Sequence, residues 1–363
     1  MQHHNAQLQA IAQKVAKAHR IDESEALLLY QQADLALLAQ LATLVCERSN
    51  GRNVLYNRNF HIEPTNCCRY NCQFCSYHKS VNDPQQWTLS LDDIAQIARR
   101  YKGSDVTEAH IVGGVHPDWD LDHYCAIVRA VRNELPHVHI KAFSAVELYY
   151  VFEHDGVTPE YGLQRLKAEG LNSIPGGGAE IFAPEVRQQI CPDKATAEQW
   201  LGIHAAAHRA GIPSNATMLY GHVETYAHRV AHMSAIRDLQ DKTGGFSCFI
   251  PLKYRAAGNK MGHLGEVPLS EDLRNYAVSR IFLDNIAHLK AYWPMLGVSN
   301  LPMAISFGAD DIDGTIDDTT KIYTMAGATD KEVRLTVSAL QEIVRNAGKT
   351  PCERDSLYRI LGQ

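Results

Sequence analysis

The sequence predicts an α/β fold, a TIM-type (β/α)8 barrel with a helical extension at its N-terminus. Short apolar or β-branched segments alternate with longer helical segments from residue 60 onward, and this alternation is typical of a parallel sheet. Eight such units match the strand number of a barrel. The predicted strands are residues 60–63, 109–112, 140–144, 172–175, 215–219, 247–252, 288–292 and 303–307.

Helical segments are expected on both sides of the barrel. We assign residues 1–58 to a helical N-terminal extension, 59–320 to the barrel and 321–363 to a C-terminal helical extension. In the first extension, the acidic residues Asp22, Glu23 and Glu25 stand where a helix start favours them, and leucines follow at helical spacing. Because no Pro-, Gly- or Ser-rich linker divides the chain, one barrel with additions is favoured over separate domains.

Composition excludes several classes of function. The chain has 363 residues, of which 45% are hydrophobic and 21% charged, as in ordinary globular proteins. Its formal net charge of −6 argues against a broadly basic surface for nucleic acid. No apolar run reaches about 18 residues, so no membrane span is expected. The N-terminus has no basic stretch followed by an apolar one, so a cytoplasmic location is expected. Oligomeric state is not predicted.

A cysteine cluster is the most specific motif. Four of the nine cysteines fall within residues 67–75, and Cys68, Cys72 and Cys75 have the spacing C-x3-C-x2-C. Thiolates are soft ligands for zinc or iron–sulfur clusters. A structural zinc site wants four ligands, usually as two pairs, and no second pair is evident. An iron–sulfur cubane held by three cysteines keeps one iron open. The alternatives are Cys67 as first ligand and a zinc site completed by a distant histidine.

Polar and glycine-rich segments follow every predicted strand. In a barrel, the chemistry lies at the C-terminal ends of the strands, so these segments are expected to share one pocket. They contain the candidate residues Gly113, Gly114, His116, Ser144, Glu147, Glu180, Tyr220, His222, Glu224, Arg255 and Asp310.

The cysteine spacing, with Phe74 before the last cysteine, resembles the motif of the radical S-adenosylmethionine (SAM) superfamily. This resemblance implies a [4Fe–4S] cluster on Cys68, Cys72 and Cys75 and SAM on the open iron. One electron from the cluster then cleaves SAM and yields a 5′-deoxyadenosyl radical. Phe74 is counted with the cofactor-binding residues, and a flavodoxin or ferredoxin is the expected reductant.

The resemblance also implies residues that hold SAM. Gly113 and Gly114 resemble the family's glycine motif, whose backbone meets the methionine amino group; a simple tight turn is the alternative. Ser144 and Glu147 are expected near the ribose hydroxyls or the methionine ammonium, unless Glu147 is a surface residue.

Glu180 and Arg187 are also assigned to cofactor binding. An arginine fork can clamp the carboxylate of methionine or of substrate. A structural Glu180–Arg187 pair is the alternative.

Four longer sequence segments restrict the resemblance to one branch of the superfamily. Residues 111–117, 174–180, 216–222 and 307–315 resemble the menaquinone/F420 branch of the superfamily. That branch includes aminofutalosine synthases, cyclic dehypoxanthine futalosine synthases and F420-precursor synthases, and residues 173–180 are most similar to the first. This implies addition of the radical to 3-[(1-carboxyvinyl)oxy]benzoate, giving 6-amino-6-deoxyfutalosine, methionine and bicarbonate for menaquinone biosynthesis.

Binding of a substrate with two carboxylates requires cationic or hydrogen-bonding groups at the barrel mouth. His222 and Glu224 are the candidate catalytic residues, although Glu224 could instead pair with Arg229. Candidate substrate-binding residues are His116, Tyr220, Arg229, Arg255 and Asp310. Structural roles for the histidines and a helix cap for Asp310 are the alternatives.

Overall fold

The computed structural model describes residues 2–314, 321–327 and 335–362, and it shows an α/β fold of parallel strands surrounded by helices. The strands are β1 Asn53–Tyr56, β2 Asn59–Ile62, β3 Glu108–Ile111, β4 His139–Ala142, β5 Ser214–Tyr220, β6 Phe246–Lys253, β7 His288–Ala291, β8 Asp311–Ile312 and β9 Thr350–Glu353. The helices are α1 Gln2–Ala16, α2 Glu23–Gln32, α3 Leu35–Asn50, α4 Leu91–Arg99, α5 Leu121–Glu134, α6 Ala145–His154, α7 Pro159–Ala168, α8 Pro184–Ile190, α9 Ala197–Arg209, α10 Tyr226–Thr243, α11 Leu269–Phe282, α12 Trp293–Leu296, α13 Leu301–Ser306, α14 Lys321–Met325 and α15 Val337–Asn346.

The strands run parallel in the order of a β/α barrel. One sheet has the order β5-β6-β7-β8-β1-β9 and the other the order β2-β3-β4. Two parallel bridges, Lys141 to Ser173 and Ile174 to Ser214, connect β4 to β5. The Asn59 N–H donates to the Gly314 carbonyl at 3.4 Å, which brings β2 beside the end of β8. Two sheets joined in this way take the place of one continuous ring.

Most predicted strands coincide with observed ones. The segments predicted at 60–63, 109–112, 140–144, 215–219, 247–252 and 288–292 overlap β2 to β7 in turn. The segment 172–175 is represented by the two bridging residues, Ser173 and Ile174. The expected strand order is therefore confirmed for these seven units.

The predicted strand at 303–307 is wrong. Residues 303–306 belong to α13 and Phe307 is its C-cap; the helix has a proline in its first turn and buries Leu301, Ala304 and Ile305 at helical spacing. A short apolar run cannot distinguish a strand from a buried helix by periodicity alone. The strand at this position is β8, so Asp310 precedes a strand instead of following one.

Two further strands lie in the segments predicted to be helical. β1 follows α3 directly, and β9 follows α15; the two pair in parallel, with Asn53 opposite Thr350 and Tyr56 opposite Glu353. Each has only four residues, too few for a clear period-2 pattern. The predicted barrel end at residue 320 lies outside the described residues.

The N-terminal helices pack on the outer face of the barrel. Asp22 and Glu25 form the capping box that starts α2, as the acidic cluster at 22–25 predicted. Tyr30 then donates to Asn275 of α11 at 2.6 Å, and Arg20 pairs with Asp241 at 2.5 Å. In the described part of the chain, no helix is both long and apolar enough to cross a membrane.

Candidate active site

Three cysteines of the loop between β2 and α4 line one cavity at the C-terminal end of the strands. Cys68, Cys72 and Cys75 all contribute to its wall, and its volume is about 160 Å³. Burial raises the pKa of all three thiols. Thiolates therefore need a positive charge such as that of bound iron to persist here.

Cys67 does not line this cavity. Its side chain is fully buried and its backbone N–H donates to Thr65 Oγ1 at 3.0 Å. The neighbouring Cys68 N–H donates to the Lys79 carbonyl at 2.9 Å, so the two adjacent cysteines are held facing different environments. This placement favours Cys68 over Cys67 as the first ligand.

His78 lies beside the third cysteine. Its backbone N–H donates to Cys75 Sγ at 3.4 Å. Its ring nitrogens bind the Cys75 carbonyl at 3.1 Å and Asn71 Oδ1 at 3.0 Å. His78 therefore supports the cysteine loop in this arrangement through its backbone and its ring. The N–H···S contact was not anticipated from the sequence.

The residues around the cavity fit a [4Fe–4S] cluster. Three soft donors come from one loop and share one wall with glycine backbone. Within the described ranges, no three His, Cys, Asp or Glu side chains are arranged to hold a single metal ion. Thiols distributed around a cavity suit a cluster, in which each thiolate binds a different iron.

Gly113 and Gly114 face the cysteine loop at very short range. A Cβ on Gly113 would lie 2.8 Å from the Thr65 carbonyl oxygen, and one on Gly114 would lie 2.3 Å from the Cys67 carbonyl oxygen. The Gly114 N–H also donates to the Thr65 carbonyl at 2.8 Å. The glycines therefore permit close packing of the cysteine loop on the end of β3, in addition to lining the cavity.

Ser144 and Glu147 form the capping box that begins α6. The Ser144 N–H and Oγ–H both donate to Glu147 Oε2 at 2.7 Å. Burial raises the pKa of Glu147 to about 7, although the bonds from Ser144 and from the backbone N–H of Gly113 oppose this rise. Ser144 lines the cluster cavity. The structure thus brings Gly113, Ser144 and Glu147 together at one edge of it.

Lys194 provides the cation in the cavity wall, and the sequence interpretation missed it. It forms an ion pair with Glu180, which raises the pKa of the lysine against the effect of burial. Its Nζ lies 5.5 Å from the centre of the Phe74 ring, which also lines the cavity. Glu180 has a φ of +49°, a left-handed conformation that is uncommon outside glycine.

Arg187 lies away from the cavity. Its Nη1 donates to the Ala179 carbonyl at 2.7 Å and to the Ile181 carbonyl at 3.3 Å, and its Nη2 donates to the Ala195 carbonyl. The guanidinium therefore fixes the backbone on both sides of the Glu180–Lys194 pair. It neither pairs with Glu180 nor presents a fork to a ligand.

His222, Glu224 and Arg229 form a buried cluster after β5. Glu224 accepts bonds from the Gly221 N–H at 2.6 Å and the His222 N–H at 2.8 Å, and it pairs with Arg229 at 2.7 Å. His222 Nε2 lies 3.0 Å from the Leu219 carbonyl. Its Nδ1 accepts from the Val223 N–H at 2.7 Å. Burial lowers the pKa of His222, and these contacts engage both ring nitrogens within its own loop.

The remaining predicted substrate residues are dispersed. His116 stacks on Trp119 with ring centres 4.9 Å apart. Tyr220 is fully buried and donates to Asp272 at 2.8 Å. Arg255 donates to two backbone carbonyls, at 3.1 Å and 2.8 Å. None of these three residues lines the cavity that the cysteines share.

Asp310 lies at the opposite end of the strand from the barrel mouth. It precedes β8, pairs with Arg280, and accepts from Asn50 Nδ2 at 2.6 Å and from His288 Nδ1 at 2.7 Å. Its position follows from the misplaced eighth strand. The alternative of a helix cap does not apply either, because these contacts tie the aspartate to α3, α11 and β7.

A second cavity lies inside the barrel and shares Val112 and Gly177 with the first. Its volume is about 80 Å³. Its polar wall residues are His110, Lys141, Asn215, Thr217, Lys290, Tyr292 and Asp313. The sequence signal for it was the presence of lysines within predicted strands, where buried apolar residues are the norm.

Comparison with known protein families agrees with this geometry. The Radical SAM superfamily profile matches residues 62–236, and the profile of the CofH/MqnC C-terminal region matches residues 243–362. An aminodeoxyfutalosine synthase from Thermus thermophilus is 40% identical over 354 residues, 96% of this chain and 94% of the relative. Another from Streptomyces coelicolor is 37% identical, covering 97% of this chain and 93% of the relative.

An archaeal relative has a different name. The 5-amino-6-(D-ribitylamino)uracil–L-tyrosine 4-hydroxyphenyl transferase of Methanothermobacter thermautotrophicus is 37% identical over 90% of both chains. Among solved structures, methylornithine synthase superposes with a TM-score of 0.75 at 14% identity, covering 94% of this chain and 97% of that one. The hydrogenase maturase HydG of Carboxydothermus hydrogenoformans superposes with a TM-score of 0.72 at 18% sequence identity, covering 98% of this chain and 81% of that one. These two structures support the fold alone.

Proposed function

This chain belongs to the radical SAM superfamily and carries a CofH/MqnC-type C-terminal region, and we propose that it is a synthase of 6-amino-6-deoxyfutalosine. The substrate is then 3-[(1-carboxyvinyl)oxy]benzoate, and the other products are methionine and bicarbonate. The observation that carries the proposal is 40% identity to an aminodeoxyfutalosine synthase along 96% of the chain. Family membership makes the chain an enzyme with a [4Fe–4S] cluster and SAM.

Bound cluster and SAM supply an electron and the 5′-deoxyadenosyl radical that adds to the enol-ether double bond. In our proposal Cys68, Cys72 and Cys75 hold the cluster. Their shared cavity supports this role. The rest of the wall then holds SAM.

The Lys194–Glu180 pair suits the methionine end of SAM. A carboxylate and an ammonium from the ligand can each find an opposite charge there. The backbone beside Gly113 and Gly114 admits the ligand closely, and Ser144 offers a hydroxyl at the same edge. Arg187 acts indirectly in this scheme, by fixing the backbone that carries the pair.

The barrel interior suits the second substrate. The two cavities share a wall at Val112 and Gly177, so a molecule in the interior lies directly beside one in the cluster cavity. Surrounding strands exclude water and stray hydrogen donors, which a carbon radical requires. His222 and Glu224, which the sequence suggested as catalytic residues, are assigned instead to positioning the end of β5, since their polar atoms bind one another and the backbone.

The electron donor in this proposal is a flavodoxin or ferredoxin that docks beside the cysteine loop. Lys260 and Asn71 lie at the exposed edge of this loop, joined by a hydrogen bond of 2.5 Å. Cys68 and Cys75 are only partly buried, so the cluster lies within reach of this surface.

Product analysis tests the reaction. Protein reconstituted anaerobically with iron and sulfide is reduced and mixed with SAM and the enol-ether benzoate. We expect 6-amino-6-deoxyfutalosine with the adenosyl carbons incorporated. Two parallel reactions supply other substrates in place of the enol-ether benzoate. Free 5′-deoxyadenosine with a cyclised product, formed when dehypoxanthine futalosine is supplied, would instead indicate the cyclic dehypoxanthine futalosine synthase reaction. A coupled product, formed when tyrosine and 5-amino-6-(D-ribitylamino)uracil are supplied, would indicate the function named for the archaeal relative.

A further inference from the structure

A layer of polar side chains lies inside the barrel, where branched apolar residues are normal. His110 on β3 is in register with Lys141 on β4, and Lys290 on β7 and Asn215 on β5 complete the set. We call these four residues the interior polar layer. All four line the cavity of about 80 Å³ that adjoins the cluster cavity. Burial of two lysine ammonium groups costs free energy unless each is paired with an anion.

The two lysines differ in how closely their ammonium groups are paired. Lys141 Nζ lies 2.6 Å from Glu108 Oε1, a close ion pair. Lys290 Nζ lies 3.5 Å from carboxylate oxygens of both Asp311 and Asp313. An ammonium has three donors, and contacts of this length leave it able to bind another anion at closer range.

The neighbouring carboxylate is already held by another cation. Arg354 donates to both oxygens of Asp311, at 2.9 Å and 2.7 Å. Tyr358 donates to the same carboxylate at 2.8 Å. Asp311 therefore shares its charge between Arg354 and Lys290, and Asp313 is the second counter-charge of Lys290, so both of the lysine's ion pairs stay long at 3.5 Å.

Two neutral members of the layer are also suited to bind a ligand. His110 Nε2 is buried and has no hydrogen-bond partner among the described residues. Asn215 is 8% exposed, and its amide lines the cavity, where no other described side chain is seen to bond to it. An orphaned polar atom in a cavity wall is costly, and a ligand would relieve that cost.

We propose that the interior polar layer binds the ring carboxylate of the aromatic substrate, with Lys290 as its principal cation. This inference rests on the proposed function, from which the substrate is taken. The vinyl group must face SAM, and the cluster cavity lies at the C-terminal ends of the strands. The layer lies deeper, on the strands themselves, so the carboxylate of the benzoate ring reaches it and the acrylate carboxylate stays near the mouth.

Binding to the oxidised, SAM-loaded holoenzyme tests this without turnover. Calorimetry with 3-[(1-carboxyvinyl)oxy]benzoate should show a Kd raised roughly 10- to 100-fold by Lys290→Gln, the range for loss of a charge-assisted bond. The wild type should bind 2-phenoxyacrylate, which lacks the ring carboxylate, more weakly by a similar factor. Lys290→Gln should bind that analogue as well as the wild type does, and the Kd for SAM should stay within about twofold.

The second variant, Asn215→Ala, keeps the test decisive if Lys290→Gln does not fold. The Asn215 amide is not part of an ion pair, so its loss costs the fold less stability. We expect a Kd raised roughly 3- to 10-fold, equivalent to one neutral hydrogen bond. Lys253→Gln is the matched control, since Lys253 is buried and paired with Asp272 at 2.8 Å but lines neither cavity. Its Kd should match the wild type.

Two results would overturn the inference. The first is that Asn215→Ala, and also Lys290→Gln if it folds, binds the enol-ether benzoate with the same Kd as the wild type. The other is a wild-type enzyme that binds 2-phenoxyacrylate as tightly as the full substrate. Failure of the proposed function gives a different result. The enol-ether benzoate then binds as described, yet the reduced enzyme with SAM yields no 6-amino-6-deoxyfutalosine.

Discussion

Replacing Gly114 by alanine should disable the cluster site through backbone displacement. The new Cβ would lie 2.3 Å from the Cys67 carbonyl oxygen and 2.8 Å from the Cys67 carbonyl carbon, whereas ordinary contact begins at 3.4 Å. The backbone beside Cys68 must therefore move by about 1 Å, the difference between these distances. Overpacking of this kind costs about 1–3 kcal/mol of stability. A shift of about 1 Å in a reacting group costs roughly 100-fold in rate.

The assay is iron and sulfide content per chain after anaerobic reconstitution, followed by turnover of the enol-ether benzoate. Gly114→Ala should bind less cluster, and the fraction that holds one should turn over roughly 100-fold more slowly. Gly202→Ala is the matched control, because nothing lies within 4 Å of its added Cβ in α9, and it should be stabilised by about 0.5–1 kcal/mol. Full cluster content and wild-type turnover in Gly114→Ala would refute the reasoning.

Three further outcomes are expected. Cys68→Ala should lose the cluster absorbance and all turnover whereas Cys67→Ala keeps both, and equal loss in the two variants would contradict the ligand assignment. Arg187→Ala should lower the urea-unfolding free energy by about 3 kcal/mol, because it leaves buried carbonyls unbonded, and an unchanged unfolding midpoint would exclude that role. Burial raises the pKa of Glu147 from 4.5 to about 7, so its contribution to stability is complete below about pH 4.5 and is lost as pH rises through 7, a fall of about 3 kcal/mol. Denaturant titrations should show that the free energy of unfolding falls less between pH 5 and pH 8 in Glu147→Gln than in the wild type. An equal fall in the two proteins would disprove this role of Glu147.

The grouping of three cysteines in one cavity wall was predictable because its information is local. Three thiols at fixed spacing on one loop, followed by a glycine pair after the next strand, constrain the chemistry without any long-range contact. Cys68, Cys72 and Cys75 do share one wall, and Gly113 and Gly114 lie against the same loop. Strand and helix alternation is likewise a local signal, and it placed seven of the strand positions.

The contacts that the sequence did not reveal depend on the fold. Arg187 and Lys194 are both cations near Glu180, and only the three-dimensional path of the loop decides that the lysine faces the cavity. Lys290 is visible in the sequence as a lysine within a predicted strand, but only the fold places it in the same cavity wall as His110. The helix at 301–306 shows the limit of short apolar runs, which are compatible with either secondary structure.

The pairing of β1 with β9 has a consequence for biosynthesis. Tyr56 and Glu353 are 297 positions apart, and they meet edge to edge in the finished sheet. A ribosome must therefore translate as far as Glu353 before this seam can form, and contacts between such distant segments are slow to assemble. Iron that reaches the nascent polypeptide before that point would meet a sheet that still lacks its edge strand β9.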